Sequence, residues 1–193
     1  ALSLLVGTPT AYALSRFRFK GSKDMGLWIL STRMMPPIVM VIPLFWLLRA
    51  IHLQGTHMGI IMVYVMVNLP FVVWMMKGFF DEIPKEIEES AMIDGCGHWQ
   101  TFFRIVMPLA MAGIVATALF GVFLTWNEFL FAVILTDRDS QTLSVAISAF
   151  RQDRGVLWGQ MSAVIVVATV PILLITLFLQ KQMVKGLTAG AVK

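Results

Sequence analysis

An all-α, polytopic transmembrane helical bundle is the fold class this chain predicts, and three observations carry it. Of its 193 residues, 58% are hydrophobic and 13% charged, against about 45–50% and about 25% in a soluble domain. Apolar stretches recur at 25–48, 58–80, 109–135 and 158–179, each long enough for the roughly 20 residues that carry a helix across hydrocarbon. The basic residues sit at the ends of these stretches, where membrane topology places them, and not in one patch, which argues against nucleic-acid binding. The reading is a single transmembrane domain over 1–193 with about five spans, the first truncated.

Each element has its own justification. Ala1 to Leu14 is apolar, too short to cross alone and without the basic start of a signal peptide, so it reads as the clipped end of a spanning helix. Arg16, Arg18, Lys20 and Lys23 follow it and mark the cytoplasmic side. Met25 to Leu48 is the first complete crossing, with bends expected at Pro36, Pro37 and Pro43, where backbone donors are missing. Ile51 to His57 is an external turn, and Met58 to Phe80 returns inward with Asn68 and Pro70 near mid-span. Leu109 to Leu135 crosses outward, carrying Trp126, Asn127 and Glu128 in its outer half. Asp137 to Leu157 is an outer segment with a short interfacial helix expected at Thr142 to Phe150. Trp158 to Leu179 comes back in, leaving 180–193 as a cytoplasmic tail. On this topology Arg16, Arg18, Lys20, Lys23, Lys77, Lys85, Arg104, Lys181, Lys185 and Lys193 lie inside, ten of the 15 Lys and Arg residues.

The polar island at 81–108 is the informative stretch. Pro84 suits a first helical turn, and Glu86, Glu88 and Glu89 suit the positive end of the helix dipole. A short helix from near Ile83 to Gly95 or Gly97 follows, because glycine accepts the left-handed conformation that closes a helix. A second helix then places Trp99, Phe102, Phe103 and Val106 at i, i+3, i+4 and i+7 on one apolar face, with Pro108 at its junction with the next span.

Glu89-Ser90-Ala91, Asp94-Gly95 and Ile105-x-Met107-Pro108 fall in the register of Glu-Ala-Ala, Gly and Ile-x-Leu-Pro. This stretch resembles the EAA signature of bacterial ABC-importer permeases, with Ser90 and Met107 as conservative departures. Together with Gly186-Leu187-Thr188-Ala189-Gly190-Ala191-Val192 and Trp126-Asn127-Glu128-Phe129, the chain is similar throughout to the carbohydrate-uptake permeases of the maltose-transporter inner-subunit type. The resemblance implies that 81–108 is a cytoplasmic coupling-helix loop seated in an ATPase subunit. Glu89, Ser90, Ala91, Asp94, Gly95, Ile105 and Pro108 would dock it, with Ile87 and Ala91 supplying an apolar face. It implies that Gly186, Leu187, Thr188 and Gly190 of the tail reach the ATPase dimer interface. It also implies that Asp137, Arg138, Asp139, Arg151, Asp153 and Arg154 touch an external solute-binding protein.

The chain has no Gly-x-x-x-x-Gly-Lys-Ser/Thr phosphate cradle, no His-Glu-x-x-His and no Gly-x-Ser-x-Gly, so no catalytic residues are assigned and the energy must come from a partner. No Cys/His cluster offers a metal site, and Cys96 stands alone. A carboxylate within a span needs a wet cavity or a partner. Asn68, Asn127 and Glu128 are therefore candidate pathway residues, the alternative for Asn127 and Glu128 being a structural hydrogen bond near the outer interface. Trp46, Trp74 and Trp158 read as interfacial or packing aromatics. The function implied is a sugar or polyol importer subunit in a bacterial or archaeal inner membrane. It would pair with a second permease, two ATPase subunits holding ATP and magnesium, and a solute-binding protein, and carry no cofactor itself. The alternatives are a permease for a peptide or an oxyanion, and a membrane scaffold or sensor that docks an ATPase without moving solute.

Overall fold

One 26-residue helix, α4 (His57–Glu82), is the mast of the molecule. The computed structural model describes residues 1–152 and 155–189, with side chains described for 1–150 and 157–178. Before the mast come α1 (Leu2–Arg16), α2 (Ser22–Thr32) and α3 (Pro37–Ala50). After it come α5 (Lys85–Ile93) and α6 (His98–Leu109). Then follow α7 (Met111–Trp126), α8 (Leu130–Leu135), α9 (Leu143–Ser148) and α10 (Trp158–Ala189). Two-residue strands β1 (Arg151–Gln152) and β2 (Gly155–Val156) pair antiparallel, with Arg151 opposite Val156.

The start and stop of α4 follow from local chemistry. The Thr56 side chain accepts the Gly59 N–H at 3.1 Å, a standard N-cap that satisfies an otherwise orphaned donor. At the other end Pro84 bars the helical conformation from the residue before it, and Ile83 is extended at φ −78° and ψ 122°. The mast joins two cores. At its C-terminal end Val72, Val73, Met76 and Phe80 pack with Ala11 and Tyr12 of α1 and with Phe102, Val106 and Ala110. At its N-terminal end Ile60 and Val63 pack with Val41, Leu44 and Leu48 of α3 and with Phe131, Ala132 and Leu135 of α8. Gly7 permits the close crossing of α1 on α4, since a Cβ there would come within 2.6 Å of Val72.

Among the described residues, two helices are singly long and apolar enough to cross a membrane, His57–Glu82 and Trp158–Phe178; two bent pairs raise the number to up to 4 if each is one span. The bends correct two expectations. The stretch 25–48 is not one crossing, because α2 and α3 meet at 94°. Pro36 and Pro37 remove two consecutive donors and hold Met35 out of the helical region. Pro43, by contrast, lies within α3 and does not end it. The stretch 109–135 is not continuous either. It turns by 73° where α6 meets α7 at Ala110, then breaks at Asn127–Phe129 before α8.

The turn after α3, expected to be external, is fastened to the segment after α8. The Gly55 N–H donates to the Leu135 carbonyl at 3.1 Å, and the Ser140 hydroxyl donates to the Gly55 carbonyl at 2.8 Å. Gly55 has φ +74° and lies against the Asp137 carboxylate, so both backbone and space require glycine. A short helix is present where one was expected, as α9, and the Ser144 hydroxyl ties it to the Trp126 carbonyl at 2.9 Å.

Candidate functional site

The signature loop folds as two helices around a glycine turn. Gly95 follows α5 with φ +89°, and the Cys96 N–H returns to the Ala91 carbonyl at 3.0 Å while the Gly95 N–H reaches Met92 at 3.1 Å. These are the bonds of a left-handed helix terminus. Gln100 accepts the Gly97 N–H at 3.2 Å and starts α6.

What fixes α5 to the bundle is a buried polar cluster that sequence reasoning missed. Glu88, 4% exposed, accepts from Arg16 Nε at 2.5 Å and from the Tyr12 hydroxyl at 2.6 Å. Arg16 also donates through Nη2 to the Ile83 carbonyl at 2.9 Å. One guanidinium thus holds both the start of α5 and a side chain one turn into it. Beside this cluster, Asp81 accepts from Ser15 and from Lys77, each at 2.5 Å. The sequence signal was present: Glu88 stands three residues before Ala91, so the two share a helix face, while Glu89 is turned about 100° from Glu88, away from that face. In the sequence Arg16 marks topology; in the fold it is the partner of Glu88.

The residues expected to dock are therefore divided. Ala91 is buried at 6% and faces its own bundle, which leaves Ile87, Glu89, Ser90, Met92, Ile93, Asp94 and Gly95 exposed. Ser90 donates to the Glu86 carbonyl at 2.7 Å. Ile93 is 86% exposed, an apolar side chain at the tip of the element. The aromatic face of α6 is divided too. Phe102 and Val106 are buried, Phe102 against Tyr12 at 4.7 Å, whereas Trp99 and Phe103 face outward and stack on each other at 6.0 Å. The cause is a π-helical turn over Phe102–Val106. Pro108 has no N–H to offer the Arg104 carbonyl, and the widened turn lies just before it. Ile105 is half-buried in that turn, and Pro108 is exposed inside α6 without ending it, the bend falling at Ala110. The tail positions Gly186, Leu187, Thr188 and Gly190 lie outside the residues whose side chains are described, as do Arg151, Asp153 and Arg154.

The second candidate site lies around the middle of α4. Asn68, 7% exposed, donates to the Tyr64 carbonyl at 2.8 Å and to Thr125 Oγ1 at 3.2 Å. The Tyr64 hydroxyl donates to Glu128 at 2.9 Å. Asn68, Tyr64, Thr117, Thr125, Trp126 and Thr142 line a cavity of about 380 Å³. Thr142 Oγ1 is buried with no hydrogen-bond partner among the described residues. Asn68 also borders a second cavity, of about 590 Å³, shared with Arg33 and Glu128.

Glu128 is more than a lone intramembrane acid. Its carboxylate accepts the Phe131 and Ala132 N–H groups at 2.8 and 3.1 Å, satisfying the open donors at the start of α8. Asn68 and Glu128 are thus brought to one network, while Asn127 is not; it is exposed and donates back to the Phe123 carbonyl at 2.9 Å. The threonines were missed, although Thr117, Gly121 and Thr125 repeat at every fourth residue, a stripe of small and polar side chains on one helix face.

The chain as a whole is similar to known proteins. The family model described as "Binding-protein-dependent transport system inner membrane component" matches residues 3–189. The chain is 38% identical over 100% of its length to a probable ABC transporter permease, y4oR, of Sinorhizobium fredii, covering 69% of that protein. It is 37% identical to the diacetylchitobiose uptake system permease DasC of Streptomyces coelicolor, over 99% of this chain and 70% of the other. With the trehalose/maltose transport system permease MalG of Thermococcus litoralis it shares 35% identity, over 97% and 68%. Among solved structures, a bacterial ABC transporter that imports the acidic polysaccharide alginate superposes with TM-score 0.75 at 24% identity, covering 93% of this chain and 68% of that one. The MetNI methionine transporter superposes with TM-score 0.78 at 18% identity, over 96% and 88%. At those identities the two structures speak for the fold.

Proposed function

Because this chain belongs to the binding-protein-dependent transport system inner membrane components, we propose that it is the permease subunit of an ABC importer for a sugar or a related polyol. Sugar-uptake relatives support the solute class. The observation that carries the mechanism is α5: it shows Ile87, Glu89, Met92 and Ile93 outward while Glu88 is clamped to Arg16. An exposed ion pair contributes only about 0–1 kcal/mol. The apolar side chains around Glu89 therefore supply much of the affinity for an ATPase groove, and Glu89 sets orientation.

In this proposal 81–108 is the coupling-helix loop on the cytoplasmic side of a bacterial or archaeal inner membrane. Glu89, Ser90, Asp94 and Gly95 contact the ATPase, Ala91 packs α5 on the bundle, and Ile105 and Pro108 shape the second helix. The complex comprises a second, homologous permease, two ATPase subunits that hold ATP and magnesium, and a solute-binding protein outside; the 180–193 tail reaches the ATPase interface. Closure of the ATPase dimer moves α5. The Arg16–Glu88 clamp passes that movement to α1, and α1 passes it to α4 through the Gly7 crossing. The Asn68 network and its two cavities form the solute path within 1–193.

Uptake by proteoliposomes containing the assembled transporter tests this reading. Glu89→Lys and Gly95→Val are expected to abolish uptake and weaken copurification of the ATPase while leaving membrane insertion intact. Normal uptake by both variants would overturn the docking assignment.

A further inference from the structure

A groove between α1, α2 and α4, distinct from the two cavities around Asn68, has a composition that neither docking nor solute passage uses. Its volume is about 450 Å³, within the roughly 300–1,000 Å³ range of small-molecule sites. Four cations stand at its rim: Arg18 beyond α1, Lys23 on α2, Lys77 on α4 and Lys85 on α5. Asp81 pairs with Lys77 at 2.5 Å. No acid lies within ion-pair distance of Arg18, Lys23 or Lys85 among the described residues, so three positive charges remain on one rim. The α2 N-terminus opens there as well. Gly21 caps it with φ +89° and no side-chain acceptor, and Ser22 lines the groove, while Asp24 stands in the first turn of the helix toward the positive end of its dipole.

Below this rim the wall is apolar. Leu27 and Leu30 of α2 face Val73 and Trp74 of α4, and Pro70 lies at the bottom. From Lys77 to Pro70 is seven residues, roughly 10 Å along the helix axis. Cations at the boundary, a tryptophan one turn deeper and aliphatic side chains beneath reproduce the polarity gradient of one membrane leaflet. A free anion would be held by the rim and have no use for the wall. A neutral lipid would have no use for the rim.

We propose that this groove binds one anionic phospholipid of the inner leaflet, its phosphate held by Arg18, Lys23 and Lys85 and its acyl chains lying along Leu27, Leu30 and Trp74. Because α1, α2 and the start of α5 all contribute, an occupying lipid would brace the same α1–α5 junction that Glu88 and Arg16 lock from the other side.

The test is lipid retention by the assembled transporter. The complex is delipidated in mild detergent and titrated with phosphatidylglycerol or phosphatidylcholine, and bound lipid is counted by native mass spectrometry. Phosphatidylglycerol is expected to be retained at least tenfold better. Arg18→Gln, Lys23→Gln and Lys85→Gln together should weaken it roughly 100-fold, at the usual contribution of a basic residue near an anionic surface. Arg49→Gln, Arg104→Gln and Arg138→Gln, which remove equal charge elsewhere, should not. Gly26→Leu supplies an arm independent of charge. Gly26 lines the groove, and a Cβ there meets nothing within 4 Å, so leucine fills the wall without strain and should also lower retention. If the triple variant fails to assemble, Gly26→Leu decides alone. The proposal is overturned if the triple variant or Gly26→Leu retains lipid as the parent does, or if millimolar phosphate displaces it. It is also overturned if only the isolated subunit retains lipid, which would mean that an acidic partner surface covers the groove.

Discussion

Replacing Arg16 by methionine should cost this protein more than any exposed charge change, and the structure shows why. The Arg16 and Glu88 side chains are 7% and 5% exposed. Deleting the guanidinium leaves a buried carboxylate with only the Tyr12 hydroxyl, and strips the Ile83 carbonyl of its donor. Breaking a buried pair from one side costs about 3–5 kcal/mol. Removing both charges is different. In Arg16→Met with Glu88→Leu the uncompensated carboxylate is gone; the residual costs are the Tyr12 hydroxyl left without an acceptor, about 1–3 kcal/mol, and the half-buried Ile83 carbonyl, whose donor the single and double variants lose alike. The double variant should therefore be more stable than the single one. Tryptophan-fluorescence melting of the purified complex gives the stability order, and the double-mutant cycle should show a coupling of at least about 2 kcal/mol. Uptake gives a second readout: the double variant, though stable, should hydrolyse ATP while transporting poorly, because α5 has lost its clamp. A single variant that melts like the parent, or a double variant worse than the sum of the two singles, would refute this account.

Glu128→Ala should destabilise by roughly 1–2 kcal/mol through loss of the α8 cap, with Glu128→Gln milder because an amide oxygen still accepts a backbone N–H; equal melting temperatures for both variants and the parent would contradict this. Gly113→Leu should prevent close packing of α7 on α4, since even a Cβ meets the Phe79 ring, and size-exclusion chromatography should show loss of assembly. Cysteines at Ser22 and Gln182 should label only from the cytoplasmic face and one at Gln141 only from outside; one reversal redraws the topology. A cysteine at position 127 should react with a small hydrophilic reagent in some transport state; protection in every state would remove Asn127 from the solute path.

Much of the fold was legible because its causes are local. A bilayer-length apolar run, a proline that removes a donor and a glycine that takes φ +89° after α5 each act over a few residues. The α5–turn–α6 element could thus be placed nearly to its ends, and its register with the signature located the loop. The breaks were harder. Pro36 and Pro43 both interrupt the hydrogen-bond ladder, yet the chain turns by 94° at the first and continues through the second. The difference is that Pro36 is followed by a second proline.

Sequence alone determined that this chain is an α-helical membrane protein with a glycine-hinged pair of short helices between its spans, since hydrophobic length and backbone chemistry require no knowledge of neighbours. Only the tertiary structure decided which acid is which. Glu88 and Glu89 are adjacent and chemically alike, but successive helix residues point about 100° apart, and α1 covers one side of α5. That contact turns Glu88 to Arg16 and Tyr12 and leaves Glu89 free. In the same way Glu128 became a helix cap once the chain broke beside it and Tyr64 arrived from 64 residues away; its neighbours in space were never its neighbours in sequence.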